Sequence, residues 1–427
     1  MVSATPASTA GESYVIIGDG IAGSAAADHL SAETTNAAIT VLTDESKPLY
    51  NRVLLKQFAK GDIPEETIEI HDRAWYDDRD IDLRLDTRVS GIDTGSRTIR
   101  TGDGERIDYD YLLIATGSTP RQFPVPNADA EGVTSFWTHR DAKRIRSRAS
   151  EAETGTIIGA GLLGIDYAAV ASSQGVEAHY LIREDHWLPR AMSPDGAEIV
   201  HEALREQGIT PVCNTTVDRF ETDARGHVSA TITRDGRTYD SEFVGVAIGV
   251  ETNTAFLDDT PIATDDGVVV DEYLRTDNAR IYAAGDVARY PEDRFDRSVR
   301  NGSWNSAQAQ GQRAAANMLA SGRGDPFSFV PSYTVSHFQF PLASFGHPGL
   351  GEVYRERRYG PREWRRLAFR DGRLVGGMLV GDLAPMQPLK KLIASGERVL
   401  SQADRLLAPV VNTSQIQVDR AVRSESD

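Results

Sequence analysis

The stretch Tyr14-Val15-Ile16-Ile17-Gly18-Asp19-Gly20-Ile21-Ala22-Gly23 places a β-branched, apolar run directly before a glycine-rich turn. The alanine-rich segment that follows, residues 24–30, predicts a helix. The same order recurs at Thr156-Ile157-Ile158-Gly159-Ala160-Gly161-Leu162-Leu163-Gly164, with a second helix-forming segment at 165–174. Each unit is followed by another strand-like run. Strands that alternate with helices in this way predict parallel sheets, and therefore an α/β fold.

Both glycine-rich turns fit the GxGxxG spacing, in which each glycine has its own role. The first makes a tight turn, the second lets a pyrophosphate approach the backbone, and the third lets the helix pack on the strand. The N-terminus of the helix then presents free N–H groups and positive partial charge to the phosphates. One such turn is weak support, because glycine-rich turns occur by chance. Two in the correct strand–helix context predict two dinucleotide sites.

The residue that ends the next strand indicates which nucleotide each unit binds. In the first unit this strand ends at Thr43-Asp44-Glu45, and Asp44 is the favoured partner of the ribose hydroxyls. In the second unit Arg183 stands at the corresponding position, where an arginine accommodates a 2′-phosphate and favours NADPH. Glu184 beside it suits the free 2′-hydroxyl of NADH instead, so the choice between NADPH and NADH stays open.

Composition narrows the class of protein. At 427 residues, two or three domains are expected, and the net charge of −17 argues against nucleic acid as a partner. This acidity suits either an ordinary acidic protein or a high-salt cytoplasm that screens repulsion between carboxylates. No run reaches the ~18 apolar residues of a membrane span, and residues 1–12 do not resemble a signal peptide. The single cysteine, Cys213, excludes an intramolecular disulfide and a cysteine-cluster metal site, and favours the cytoplasm.

Four motifs in a fixed order carry a resemblance to a known family. They are the two GxGxxG turns, Ala115-Thr116-Gly117 between them, and Gly285-Asp286 after them. Over about residues 13–400 the chain resembles the FAD-dependent pyridine nucleotide oxidoreductases, and within them most resembles ferredoxin and rubredoxin reductases and the flavin half of NAD(P)H nitrite reductase. The segment 48–55 and the sequence Ala307-Gln308-x-Gln310-Gly311 add to this resemblance.

The resemblance implies an α/β fold with two Rossmann-like dinucleotide-binding domains, arranged as in glutathione reductase, and a C-terminal α+β interface domain. The expected FAD-binding domain comprises residues 12–122 and 251–325, and the NAD(P)-binding domain comprises 123–250. The interface domain is expected at 326–405 and a tail at 406–427. Within the interface domain, the Asp371-Gly372 turn predicts a hairpin, and a helix is expected at 386–394.

The resemblance also implies the binding residues. The expected FAD site comprises Gly18, Gly20, Ile21, Ala22, Gly23, Asp44, Arg52, Val89, Ala115, Thr116, Gly117, Gly285, Asp286 and Trp304. The expected NAD(P) site comprises Gly159, Gly161, Leu162, Leu163, Gly164, Asp166 and Arg183. Within the FAD site, Arg52 is expected near the phosphates, Val89 at the adenine, Asp286 at the ribityl chain or phosphate oxygens, and Trp304 near the flavin ring.

In members of the family, a glutamate two residues after the last glycine often pairs with a lysine beside the flavin. Asp166 stands at that position here, one methylene shorter, and Lys56 is nearest to the expected lysine but one residue out of register. Lys56 and Asp166 are therefore the candidates for a catalytic role. Transfer of a hydride from the nicotinamide to the flavin N5 needs no acid or base from the protein, so the catalytic residues otherwise stay unassigned.

The implied function is transfer of electrons from NADPH or NADH through FAD to a small electron-carrier protein such as ferredoxin or rubredoxin. The alternatives are an oxidase, a quinone or dye reductase, and a nucleotide-sensing flavoprotein with slow turnover. Residues 354–373 hold eight arginines against three acids, which predicts a docking surface for an acidic carrier. The alternative is that these arginines pair with the protein's own acids, including acids across a homodimer interface.

Overall fold

The computed structural model describes residues 11–292, 294–295, 297–321, 324–337 and 340–419. These residues form two compact units. The first comprises the described residues within 11–51, 66–119 and 250–329, and the second comprises those within 52–65, 120–249 and 330–419. The division into FAD, NAD(P) and interface domains stays a prediction. Residues 1–10, and residues 420–427 of the predicted tail, lie outside the described residues.

The first unit is built on a five-stranded parallel sheet. Its strands are β1 (Ser13–Ile17), β2 (Ala38–Leu42), β3 (Ile81–Arg84), β7 (Tyr111–Ile114) and β19 (Ile281–Ala283). They lie in the order β19-β7-β1-β2-β3. The chain runs outward from β1 to β3 and then returns to the other side of β1, so the order reverses between β1 and β7. In open parallel sheets a ligand binds at such a reversal, beyond the carboxyl ends of the strands.

Smaller elements complete the first unit. Its helices are α1 (Ile21–Glu33), α3 (Arg73–Asp77) and α7 (Trp304–Leu319). Its remaining strands are β4 (Val89–Asp93), β5 (Thr98–Thr101), β6 (Arg106–Asp108), β8 (Ser118–Pro120), β17 (Val250–Thr252), β18 (Val268–Val269), β20 (Ala288–Glu292) and β21 (Arg297–Val299). Helix α7 lies so close to α1 that a Cβ at Gly311 would be 2.0 Å from the Ala22 carbonyl oxygen. Only glycine permits this approach.

The second unit contains another parallel sheet with the same plan. Its strands are β9 (Val133–Ser135), β10 (Thr154–Ile158), β11 (Glu177–Leu181), β12 (Ile209–Val212) and β16 (Phe243–Val246). They lie in the order β12-β11-β10-β16-β9, so the reversal falls between β10 and β16. The helices α2 (Leu55–Lys60), α4 (His139–Glu151), α5 (Leu162–Ser173) and α6 (Pro194–Arg205) accompany this sheet. A three-stranded antiparallel sheet comprises β13 (Val217–Thr222), β14 (Val228–Thr233) and β15 (Thr238–Asp240).

The C-terminal part of the second unit is an antiparallel sheet covered by short helices. Its strands, β22 (Ser332–His337), β23 (Phe340–Gly346), β24 (Val353–Gly360), β25 (Glu363–Arg370) and β26 (Arg373–Val380), lie in the order β22-β23-β26-β25-β24. The helices are α8 (Met386–Ser395) and α9 (Ala403–Leu406). Asp371 and Gly372 both have positive φ, the conformation that a tight hairpin turn requires, so the predicted hairpin is present. Phe345, Leu367 and Phe369 are fully buried in the core of this region.

Among the described residues, no helix is long and apolar enough to cross a membrane. The same residues contain no group of three or more His, Cys, Asp or Glu side chains arranged to hold a metal ion.

Candidate functional site

The first glycine-rich loop lies at the reversal of the first parallel sheet. Gly18 has φ of 109°, and a Cβ there would lie 2.3 Å from the Ala115 carbonyl oxygen, just beyond β7. A Cβ at Gly23 would lie 1.9 Å from the Gly18 carbonyl oxygen. At Gly20, in contrast, an added Cβ would meet no atom of the described residues within 4 Å. The space beside the Gly20 backbone is therefore open. A pyrophosphate needs such a space, here called a cradle, to approach the main chain.

The second glycine-rich loop repeats this geometry with different neighbours. Gly159 has φ of 133°, and a Cβ there would lie 2.1 Å from the Ala247 carbonyl oxygen, just beyond β16. A Cβ at Gly164 would lie 1.9 Å from the Tyr180 hydroxyl, so the third glycine lets α5 close on β11. A Cβ added at Gly161 would have no atom of the described part of the chain within 4 Å. Two further predicted residues of this site, Leu162 and Leu163, form the first turn of α5 and are partly exposed.

Two side chains from other elements hold the Gly285-Asp286 turn. Gln310 is fully buried on α7, and its Oε1 accepts a hydrogen bond of 2.9 Å from the Gly285 main-chain nitrogen. The Ser118 hydroxyl donates to Asp286 Oδ2 at 2.9 Å. The quoted sequence Ala307-Gln308-x-Gln310-Gly311 contained the signal for Gln310, but its partner became visible only once α7 was placed beside the turn.

Four other predicted FAD residues lie at or just beyond the ends of strands and helices, and Arg52 bonds to a main-chain carbonyl. Thr116 is tied in both directions to Asn253, because its hydroxyl donates to the Asn253 carbonyl and the Asn253 amide donates to the Thr116 carbonyl, each at 2.8 Å. Asp44 is exposed directly after β2, Val89 begins β4, and Trp304 begins α7. Arg52 donates at 2.8 Å to the Trp137 carbonyl oxygen. The expected contacts of these residues with FAD stay predictions.

The carboxylate of Asp166, on α5, contacts three side chains from elements that are distant in sequence. Lys56 Nζ lies 3.3 Å from Asp166 Oδ1, so Lys56 and Asp166 form an ion pair. His337 Nε2 lies 2.9 Å from the same oxygen, and the Tyr333 hydroxyl donates to Oδ2 at 3.1 Å. Burial and the adjacent carboxylate raise the pKa of Tyr333 well above its ordinary value, so the phenol keeps its proton. The sequence reasoning did not predict these last two partners.

Removal of Asp166 is expected to destabilise the second unit. The Lys56 and Asp166 side chains are only 12% and 8% exposed, so Asp166→Leu leaves a buried ammonium group without its counter-ion. Breaking such a pair costs about 3–5 kcal/mol, and we expect a lower thermal unfolding temperature. The double variant Lys56→Met/Asp166→Leu removes the unpaired ammonium group and should recover part of the loss, while the lost bonds of His337 and Tyr333 to Asp166 account for the rest. A single variant as stable as the wild type would show that the ion pair contributes nothing.

Arg183 and Glu184, the two candidates for recognising the nucleotide ribose, bond to each other. The Arg183 guanidinium donates to Glu184 Oε1 at 2.8 Å, and its side chain is 78% exposed. A 2′-phosphate can therefore reach Arg183 but must compete with Glu184 for it. Their roles in choosing between NADPH and NADH stay predictions.

The arginines of residues 354–373 are occupied within the protein. Arg365 is only 2% exposed and donates to the carbonyl oxygens of Leu406 and Ala408 at 2.8 and 2.9 Å. Others pair with acids of the same unit: Arg357 with Asp404, Arg362 with Glu206, Arg366 with Glu356 and Arg370 with Glu352. The prediction of an arginine docking face is wrong for Arg365. Four of the eight arginines therefore pair with acids, as in the alternative, while Arg355, Arg358 and Arg373 bond to main-chain carbonyl oxygens. Docking of a carrier at the exposed arginines stays a prediction.

Comparison with known proteins identifies the fold and the chemistry. Residues 12–311 match the family described as pyridine nucleotide-disulphide oxidoreductase. The chain belongs to this family. It is an FAD-dependent oxidoreductase that uses NAD(P)H, which confirms the family, fold class and cofactors expected from the four motifs. The cradles at Gly20 and Gly161 fit the pyrophosphates of two dinucleotides, and FAD supplies the redox chemistry when it is bound.

Two curated relatives and one solved structure illustrate the similarity. The chain is 30% identical over 389 residues to the anthranilate 1,2-dioxygenase system ferredoxin–NAD(+) reductase component of Burkholderia cepacia, covering 90% of this chain and 94% of the relative. It is also 30% identical over 278 residues to nitrite reductase [NAD(P)H] of Bacillus subtilis, covering 65% of this chain but only 34% of the relative. The fold matches putidaredoxin reductase in its covalent complex with putidaredoxin, with a TM-score of 0.89 at 24% identity, covering 95% and 98% of the two chains.

Cys213 is the sole cysteine of this family member, although the family description includes disulphide chemistry. It is a partly buried free thiol just after β12, and burial raises its pKa, which disfavours the reactive thiolate. We expect Cys213→Ser to retain NAD(P)H oxidation within about twofold, because no second thiol exists to form a redox disulfide. Steady-state turnover with an artificial dye measures this. Loss of turnover in a folded variant that still contains flavin would indicate a thiol mechanism.

Proposed function

We propose that this chain passes electrons from NAD(P)H through FAD to a small iron–sulfur or rubredoxin-type carrier protein. The observation that carries this proposal is the match to a ferredoxin–NAD(+) reductase component over 94% of that relative's length. The single cysteine supports it further, since the protein has no dithiol to hand electrons to a disulfide substrate. The protein's own residues bind and orient the two dinucleotides, and no side-chain acid or base is needed for the transfer.

A comparison of acceptors tests the proposal. The flavin of the holoprotein is first reduced anaerobically with one equivalent of NAD(P)H, and its reoxidation is followed after mixing with ferredoxin, rubredoxin, a quinone or oxygen. We expect a carrier protein to reoxidise the flavin at least about tenfold faster than the small acceptors at equal concentration, a difference of about 1.4 kcal/mol in activation free energy. Faster reoxidation by oxygen or the quinone would favour an oxidase or quinone reductase. Negligible reoxidation by every acceptor would favour a nucleotide-sensing flavoprotein.

We also propose that Arg183 favours NADPH by binding its 2′-phosphate. Arg183→Glu is expected to lower kcat/KM for NADPH relative to NADH by about ten- to a hundredfold, since a charge-assisted contact of ~1.5–3 kcal/mol becomes a repulsion. Arg205→Glu is a matched control, because it makes the same charge change on α6, where Arg205 pairs with Glu198 at 2.7 Å. An unchanged NADPH/NADH ratio in Arg183→Glu would reject the assignment.

We further propose a cytoplasmic location, supported by the lone cysteine. The net charge of −17 supports the absence of a nucleic-acid partner. A homodimer remains part of the proposal, and light scattering of the purified holoprotein tests it.

A further inference from the structure

A buried acid lies inside the first glycine-rich loop. Asp19 stands between Gly18 and Gly20 and is only 7% exposed. The second loop has the uncharged Ala160 at the matching position. Within the described residues, no lysine, arginine or histidine nitrogen lies within 4.0 Å of the Asp19 carboxylate, so no cation neutralises it. A buried carboxyl group without a cation is costly to ionise.

The surroundings of Asp19 are defined by hydrogen bonds from neutral groups. The Tyr76 hydroxyl, on α3, lies 2.8 Å from each carboxyl oxygen. The Leu49 main-chain N–H also acts on this group and lowers its pKa. The Tyr76 hydroxyl in turn contacts Ser24, which is buried in α1. A second acid that acts on Asp19 is Glu45, whose Oε2 accepts a hydrogen bond of 2.6 Å from the Tyr50 hydroxyl.

Of Asp19, Tyr76 and His71, only Asp19 changes its charge near neutral pH. Burial raises the pKa of Asp19 to about 7, the negative charge of Glu45 adds to this, and the bonds from Tyr76 and Leu49 oppose it. Burial raises the pKa of Tyr76 far above its ordinary value. Burial lowers the pKa of His71, whose ring meets the edge of Tyr76, so His71 is neutral in this range.

We propose that Asp19 links FAD affinity to pH, because the loop binds FAD in the form in which the Asp19 carboxyl group carries a proton. The pyrophosphate brings negative charge to the main chain of the loop that contains this carboxyl group. An ionised Asp19 adds a second buried negative charge, whose repulsion is poorly screened in the protein interior. The inference rests on FAD occupying the Gly18–Gly23 loop, and it does not depend on the electron acceptor.

The sign of the effect follows from proton linkage. Bound FAD raises the pKa of Asp19 above its value in the FAD-free loop, so the bound state holds the proton more tightly. FAD affinity is therefore fully present below about pH 7 and falls as the pH rises through the pKa of the free loop. For one linked proton, the dissociation constant rises by at most about tenfold per pH unit, until the pKa of the bound state is reached.

The test measures FAD binding without turnover. Holoprotein is equilibrated at several values from about pH 6 to about pH 9, and free FAD is separated by ultrafiltration and quantified by fluorescence. In the wild type we expect the dissociation constant to rise about ten- to a hundredfold over this range. Asp19→Asn, of the same shape but without a charge, should show less than about a threefold change, and it controls for titration of FAD itself.

Tyr76→Phe provides an independent variant, in which the pKa of Asp19 should rise. Losing the phenol removes a hydrogen bond that favours the ionised carboxylate, so FAD release should begin at a higher pH than in the wild type. A flat wild-type profile, or an Asp19→Asn profile as steep as the wild type, would overturn the inference while leaving the FAD assignment intact. Absence of bound FAD at every pH would reject both the inference and the assignment of the loop to FAD.

Discussion

Replacing Gly20 with valine is expected to give a folded protein that does not retain FAD. Gly20 has φ of −74°, which any residue adopts, and an added Cβ meets no atom of the described chain within 4 Å. The substitution therefore places its side chain in open space that the pyrophosphate must occupy. Loss of about two charge-assisted hydrogen bonds, at ~1.5–3 kcal/mol each, weakens binding by about a hundred- to ten-thousandfold.

The flavin content of the purified variant, measured from its visible absorbance relative to its protein absorbance, checks this prediction. Circular dichroism and thermal unfolding confirm that the fold is retained. Gly23→Ala makes a useful contrast, since its Cβ would lie 1.9 Å from the Gly18 carbonyl oxygen and should disturb the fold itself. A Gly20→Val protein that still contains one FAD per chain would show that FAD does not bind at this loop.

Replacing Gly161 with valine is expected to separate the two nucleotides. Gly161 has φ of −102°, and, as at Gly20, no described atom lies within 4 Å of an added Cβ. The variant should retain FAD, while kcat/KM for NAD(P)H falls by about a hundredfold or more through loss of pyrophosphate contacts. Stopped-flow reduction of the flavin over a range of NAD(P)H concentrations measures the loss.

The pair of valine variants serves as a reciprocal control. Both change a glycine with the same open surroundings, but in different sheets. If Gly161→Val loses FAD and Gly20→Val keeps it, the assignment of FAD and NAD(P) to the two loops is reversed. If Gly161→Val reduces its flavin at the wild-type rate, the second loop does not bind the nicotinamide nucleotide.

The features that depend on local sequence were predictable. The strand before Gly18, the turn and the alanine-rich helix follow from short-range patterns, because the backbone conformation of glycine and the apolar period act over a few residues. The second loop follows for the same reasons. The Asp371-Gly372 turn also encodes its own hairpin, since both residues tolerate positive φ.

Features that depend on which elements pack together were not predictable from one sequence. Asp166 and its partners His337 and Tyr333 are about 170 residues apart, at 171 and 167 positions. Alternation along a strand says which side chains share a face but not what covers that face, so it placed the buried Arg365 on a docking surface. The burial of Asp19 could not be read from the sequence around it, because Tyr76, which bonds to it, lies 57 residues away on α3.

The central claim is that nicotinamide reduces a bound flavin, and anaerobic mixing of the holoprotein with NADPH and, separately, NADH tests it most directly. The visible absorbance of the flavin is followed while oxygen is excluded. At least one nucleotide is expected to bleach the flavin within seconds, and oxidised ferredoxin or rubredoxin is then expected to restore the colour. A protein that contains FAD but stays oxidised with both nucleotides would show that nicotinamide does not reduce the bound flavin.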